Sequence, residues 1–321
     1  MDDDDRTLLE VSLKHACQSS SGAALDRALE DLGWHEALSV DPSVAVSSLF
    51  ELQGRANASS SALDAVVRSA LGLKSRPSSG TVLPALGRWQ APGHLADGDL
   101  LLRGVGTASL VDGTTAMVVT SSGGAGHLAL EVTTADLTLR SAPGLDPRLG
   151  LVEVSGGHVA VTGRYDLAPG QWPRAVALAH LAIGHELVGA SRAMLELARG
   201  HALERIQFGQ PIATFQAVRH RLADTLIAIE ASDAALGSAW DEGSPQAAAM
   251  AKALAGRSAR TAVRHCQQVL AGIGFTTEHD FHHYLRRVMV LDELFGTARA
   301  LTTRLGNHLL ATRQLPPLPP L

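Results

Sequence analysis

The chain has 321 residues, 45% hydrophobic and 18% charged, with a formal net charge of −5 at pH 7. That length fills a large core spread over two or three structural units, and that balance excludes intrinsic disorder. The acidic balance offers no basic field for nucleic acid or an anionic membrane. Cys17 and Cys266 are the only cysteines, which excludes a disulfide framework or a cysteine-built metal site and suits a reducing cytoplasm.

Met1 is followed by Asp2 to Asp5, the opposite of a cationic signal segment, so the start reads as a disordered acidic tail or an added leader. No apolar run approaches a membrane span. Aromatics make up only 4%, which favours close-packed helices over an all-β core. Residues 7–75 read as short helices: Leu25, Leu29 and Leu32 keep helical spacing, Asp41-Pro42 starts a helix, and Ser59 to Ser61 offer a cap for the next. Lys74 to Gly80 reads as a linker. From about 81 to 165, short runs such as Leu100–Leu102, Ala116–Thr120, Leu128–Val132 and Val159–Thr162 lie between turn residues, the pattern of a small antiparallel β-domain. Beyond Pro173 the chain reads as helical: Ala175–His201, then a helix carrying Ile212, Phe215, Val218, Leu222, Leu226 and Ile229, then Gln246–Leu270, then Glu278–Leu310 broken near Gly296. Four long helices with short connections predict an antiparallel bundle, and the tail Leu315–Leu321 is too proline-rich for a helix.

The corner between the first two bundle helices joins two unlike patterns. Arg205 closes a helix, Phe208 follows three residues on, Gly209 permits a left-handed exit, and Pro211 suits the first turn of the next helix. A guanidinium beside an aromatic at such a junction can grip a phosphate and cover a planar ring. Spacing alone favours a plain helix corner with a surface Arg and a core Phe.

Arg205-x-x-Phe208-Gly209-x-Pro211-Ile212, followed by Phe215-Gln216 and by His220-x-Leu222-Ala223-Asp224, resembles the most recognisable segment of the acyl-CoA dehydrogenase family. A second stretch resembles it too: Gln268-Val269-Leu270-Ala271-Gly272-Ile273-Gly274-Phe275, with Ala271 where a glycine is usual. The resemblance is strong over 175–297. It implies an α+β, mainly α fold with a shortened N-terminal helical region (1–80), a small antiparallel β-domain (81–168) and a C-terminal four-helix bundle with a proline-rich tail (169–321). It also implies that Arg205, Phe208 and Gln268 hold the ADP half of an FAD seated mainly on a neighbouring subunit, with Gln207, Ile212, Phe215, Val269 and Gly272 as lesser contacts.

Two clusters invite other chemistry. His279, His282 and His283 are spaced to share a helix face as metal ligands, but no cysteine or acid completes a familiar set, so no metal is expected. His185-Glu186 suggests an acid–base pair, yet Glu186-Leu-Val-Gly-Ala resembles a family segment with no catalytic duty.

Family catalysis needs a glutamate to remove the α-proton of an acyl-CoA. In one branch it precedes Gly-Thr; here that position is Phe295, in Leu294-Phe295-Gly296-Thr297. The alternative position on the first bundle helix falls near Ala179, between Leu178 and His180. Glu293 lies two residues from Phe295, a turn of roughly 200° on a helix. The flavin-binding Thr-Glu-Pro-x-Ala-Gly-Ser-Asp-like stretch is also missing from 81–165. The resemblance therefore implies no catalytic residue on this chain and points to the short, non-catalytic subunit of an actinobacterial α2β2 acyl-CoA dehydrogenase acting on bulky, steroid-derived thioesters. A longer catalytic subunit then binds most of the acyl-CoA. The alternatives are a catalytically dead structural or regulatory homologue without flavin contact, and a self-sufficient homotetramer with an unrecognised base.

Overall fold

A computed structural model describes residues 3–73, 79–96, 99–121, 126–142, 144 and 146–313. The tail 315–321 and most of the expected linker, 74–78, lie outside the described residues.

Five helices come first: α1 (Asp3–Ser19), α2 (Ala23–Asp31), α3 (Trp34–Val40), α4 (Pro42–Ala56) and α5 (Ala62–Ala70). The acidic start is helical from Asp3, where carboxylates suit the positive end of the helix. Asp41 caps α4 as its sequence predicts, accepting from Val44 N at 3.2 Å. Of Ser59 to Ser61, it is Ser60 that serves the start of α5, its Oγ accepting from Ala62 N at 3.3 Å, while Ser61 makes no side-chain cap bond and accepts from Ser109 N at 3.2 Å.

Eight strands follow: β1 (Ser79–Pro84), β2 (Gly93–Ala96), β3 (Asp99–Gly106), β4 (Thr115–Ser121), β5 (His127–Thr133), β6 (Thr138–Ser141), β7 (Val152–Gly156) and β8 (Val161–Asp166), with a short α6 (Ala108–Asp112) before β4. Ser79 and Gly80, expected in the linker, already belong to β1. Most pairings are antiparallel, but β1 and β2 each run parallel to β4. Short runs between turns predict hairpins; here the long excursion through β2, β3 and α6 gives β1 the crossover that a parallel partner requires. Side chains alternate between faces. Leu83, Val105, Met117, Val119 and Ala129 join the helical core, whereas Val82, Val118, Leu130 and Val154 form a separate cluster with Leu110 of α6.

The rest is helical: α7 (Gln171–Glu204), α8 (Gln216–Glu242), α9 (Pro245–Leu270), α10 (Phe281–Glu293) and α11 (Ala298–Thr312). Alanines of α9 at 248, 251, 255, 259 and 262 are buried along one stripe, letting it lie close against α7. Helices α4 and α7 approach through a reciprocal pair of glycines: a Cβ on Gly54 would sit 2.2 Å from Glu186 O, and one on Gly189 would sit 2.1 Å from Glu51 O.

That contact brings Glu186 to a buried arginine. Arg287 of α10 is fully buried, and its five N–H groups find five acceptors. Asp146 Oδ2 (2.9 Å) lies in the loop before β7; Ala58 O (2.6 Å), Asn57 O (3.3 Å) and Ser59 Oγ (2.8 Å) lie between α4 and α5; Glu186 Oε1 (2.9 Å) lies on α7. Burial pushes the Glu186 carboxyl up, and the charge of Arg287 pulls it back down. One side chain thus ties the N-terminal helices, a loop of the sheet region and two bundle helices. Arg287→Met strands two buried carboxylates and should cost about 3–5 kcal/mol in urea unfolding followed by circular dichroism. A loss within ordinary surface-mutation scatter, about 0.5 kcal/mol, contradicts this role.

Candidate functional site

The corner after α7 is more elaborate than its sequence suggests. Arg205 leaves the helix extended, then Ile206-Gln207 (β9) pairs antiparallel with Gln210-Pro211 (β10). Phe208 and Gly209 form the turn, both left-handed at φ 52° and 81°. Two consecutive positive φ values make the primed turn that matches strand twist in a two-residue hairpin. Pro211 lies in this ladder, not in the first turn of a helix. A 3₁₀ turn, Ile212–Thr214, follows, and α8 starts only at Gln216.

Phenylalanine at positive φ is strained, and this one is also 91% exposed, edge-on to Phe215 at a ring separation of 6.0 Å. It is therefore not the core Phe of a plain helix corner. Arg205, Gln207 and Gly209 are exposed, whereas Ile212 and Phe215 are half-buried. Among the described residues the Arg205 side chain has no hydrogen-bond or ion-pair partner.

At the end of α9, Gln268 is exposed while the Val269 side chain is taken up by the core, so Val269 presents only backbone outward. Gly272 is exposed with nothing within 4 Å of a Cβ built on it. Ala271 adopts φ 52°, ψ −131°, a region suited to glycine. In sequence that substitution reads as one added methyl; in the fold it is backbone strain of order 1–3 kcal/mol. The glycine-rich turn lies beside the last turns of α7, the helix that leads into the hairpin: Gly200, His201 and Glu204 share a cleft of about 550 Å³ with Ile273 and His279. Around it Leu203, Ile206 and Phe275 are exposed, Phe275 by 74%. Phe275 lies within the second motif but was not among the expected contacts; an aromatic next to a glycine-rich turn was the available signal.

The two positions that could hold a base converge. Ala179 is fully buried, and its neighbour His180 donates from Nε2 to Phe295 O at 2.9 Å. Phe295 is fully buried and left-handed at φ 55°, followed by Gly296 at φ 96°. Lys252 of α9 donates to Asp292 O at 2.9 Å and to Gly296 O, and burial lowers its ammonium to about 8. Asp292 accepts from Ala298 N at 2.9 Å and from Arg260 at 2.6 Å. Glu293 turns its carboxylate toward Gly87, whose Cβ would meet it at 3.3 Å. His180 has a bare Nδ1 lone pair but is 1% exposed, so no substrate reaches it. Neither position carries an acid, and both are sealed.

The histidine cluster does not share a helix face, because α10 begins at Phe281, after His279. His279 Nδ1 accepts from Phe281 N at 3.1 Å, and His282 Nδ1 donates to His279 O at 2.8 Å. Glu51, His185 and Asp233 do bring ligand atoms within 4.8 Å of one another. Trp240 Nε1 donates to His185 Nε2 at 3.1 Å, which leaves the imidazole proton on Nδ1, the atom a metal would need bare. Arg192 already supplies the cation, bonding Glu51 at 2.7 Å and Asp233 at 2.9 Å. His185 and Glu186 face different partners and form no acid–base pair.

Burial, reinforced by the charge of Lys252, holds the His180 imidazole at about 3. Between that value and the ordinary 6.5 the unfolded chain binds a proton that the folded chain refuses, so His180 removes stability as pH falls. Going from pH 7 to pH 5, wild type should lose about 2 kcal/mol more than His180→Gln in denaturant titrations. Carboxyls raised by burial, such as Asp64 and Glu186, act with the opposite sign but are present in both proteins. Equal pH slopes in the two proteins contradict this assignment.

The acyl-CoA dehydrogenase C-terminal domain family matches residues 174–310. The chain is 35% identical to acyl-CoA dehydrogenase IpdE2 of Mycobacterium tuberculosis over 130 residues, 40% of this chain and 41% of IpdE2. It is 36% identical to acyl-CoA dehydrogenase FadE34 of the same organism over 230 residues, 70% of this chain and 28% of FadE34. The chain therefore spans less than half the length of these curated relatives. Among solved structures, a Tcur3481-Tcur3483 steroid ACAD variant superposes with a TM-score of 0.80 at 21% identity, covering 97% of this chain and 99% of that one. The ChsE4-ChsE5 complex from Mycobacterium tuberculosis gives 0.77 at 19% identity, covering 98% and 97%. At these identities the superpositions describe the fold. No helix among the described residues is long and apolar enough to cross a membrane.

Proposed function

We propose that the chain, whose residues 174–310 match the acyl-CoA dehydrogenase C-terminal domain, belongs to that FAD-dependent family as a non-catalytic subunit of a heteromeric acyl-CoA dehydrogenase. The observation that carries this reading is an asymmetry. Both base positions are apolar and sealed, whereas the hairpin and the glycine-rich turn stand open with an unpaired Arg205.

In this reading the open end receives the ADP half of an FAD whose ring is seated on a longer homologue. Arg205 pairs with the pyrophosphate through its planar fork, Phe208 covers the adenine side, and Gln268 offers a donor and an acceptor. Gly272 leaves room for close backbone approach, and Gln207, Ile212 and Phe215 shape the hairpin base. The fit covers only that half: no flavin-binding stretch of the family kind stands in the sheet region. When bound, FAD supplies the acceptor for the β-hydride of the acyl thioester. This chain's residues bind and orient it, and the α-proton is taken by a carboxylate of the partner.

Solved structures of this fold include the ChsE4-ChsE5 complex and a Tcur3481-Tcur3483 steroid ACAD, which supports an α2β2 assembly with unlike subunits and a bulky, steroid-derived acyl group on the partner. A cytoplasmic location fits the two unpaired cysteines.

In the complex with its longer partner, Arg205→Ala should weaken FAD retention by at least about tenfold. Phe295→Leu should leave turnover unchanged, because no base stands there. Gel filtration with flavin absorbance and a dye-reduction assay read both. Full flavin in the Arg205→Ala complex favours a structural homologue without flavin contact, and loss of turnover in Phe295→Leu favours a chain with chemistry of its own.

A further inference from the structure

A cavity of about 540 Å³, unrelated to the hairpin, opens where the start of α7 meets the α8–α9 turn. That volume is within the roughly 300–1,000 Å³ of small-molecule sites. Its apolar wall is built from Ala177, Leu178 and Leu181 of α7 with Trp240 of α8 and Ala248 of α9. Three polar side chains on the wall are already engaged within the protein. Gln171 donates to Leu71 O at 2.5 Å and accepts from Ala168 N at 2.8 Å. Trp240 donates to His185, and Ser244 caps α9 while donating to Glu242 at 2.6 Å.

Among the described residues one charged side chain lines this wall, Arg174, and no acid lines it, Glu242 standing behind Ser244. Arg174 is exposed and has no hydrogen-bond or ion-pair partner among the described residues. An apolar hollow of ligand size with one unpaired guanidinium suits a molecule that is apolar along its body and anionic at one end. The planar fork of Arg pairs with a carboxylate at two points, and the body removes apolar wall from water.

We propose that this cavity is a binding site for an anionic amphiphile, its carboxylate on Arg174 and its hydrocarbon body along Leu178, Leu181 and Trp240. The site is independent of the flavin reading, since none of its residues belongs to either family motif. A free fatty acid carries this chemistry, whereas a CoA thioester has no carboxylate for Arg174.

Isothermal titration of the full chain with dodecanoate, kept below micelle formation, tests the site. Saturable binding is expected, weakened about tenfold by Arg174→Gln and also weakened about tenfold by Leu178→Trp, whose ring takes up part of the hollow along the hydrocarbon body. Dodecylammonium should bind at least about tenfold more weakly than dodecanoate. Unchanged circular dichroism and melting of both variants show that the fold survives. Dodecanoyl-CoA, which has no carboxylate beside its chain, should not displace dodecanoate, and displacement at equal concentration overturns the carboxylate assignment. Absence of saturable binding, or equal binding by wild type, Arg174→Gln and Leu178→Trp, overturns the proposal.

Discussion

Arg287 is the point on which the rest of the structure depends. A guanidinium without solvent is tolerable only if every N–H has an acceptor and its charge is matched. Here the acceptors come from the α4–α5 connection, the loop before β7 and α7. Satisfying one side chain therefore fixes three parts of the chain relative to α10. The reciprocal glycine contact of α4 and α7 serves the same end, because it places Glu186 where Arg287 and Gln53 both reach it.

With the frame fixed, the two ends of the bundle chemistry diverge. At the α10–α11 turn, carbonyls freed by left-handed Phe295 and Gly296 are taken by His180 and Lys252, and an aromatic ring fills the space. At the α7–α8 corner the backbone is also left-handed, but the aromatic stands in solvent with an unpaired arginine beside it. Strain that is buried and satisfied serves packing. Strain that presents a bare aromatic and a cation to solvent calls for something to cover it.

Much of this was legible in the sequence, and the illegible part has physical causes. Helical periodicity located the bundle, Asp41-Pro42 marked the start of α4, and the break near Gly296 was placed correctly. The corner was found but misdrawn, because Gly209 and Pro211 announce a break without specifying a two-residue ladder, and nothing local reveals that Phe208 has positive φ. The parallel pairing of β1 with β4 depends on a crossover that strand patterns do not encode. Arg287 was unreadable: its partners are up to 230 positions away, and an arginine within a helix reads as a solvated face. Both base positions were located through family resemblance. The contact of His180 with Phe295, 115 positions apart, is the tertiary reason they form one place in the fold.

A division of labour between unlike chains is tested most directly by flavin stoichiometry. The chain is purified alone and then together with its longer homologue, and bound FAD is counted by visible absorbance against mass in solution. An essentially colourless chain alone and a single FAD for each pair of unlike subunits in the complex are expected. A lone chain that is fully loaded with FAD and oxidises an acyl-CoA would contradict that division.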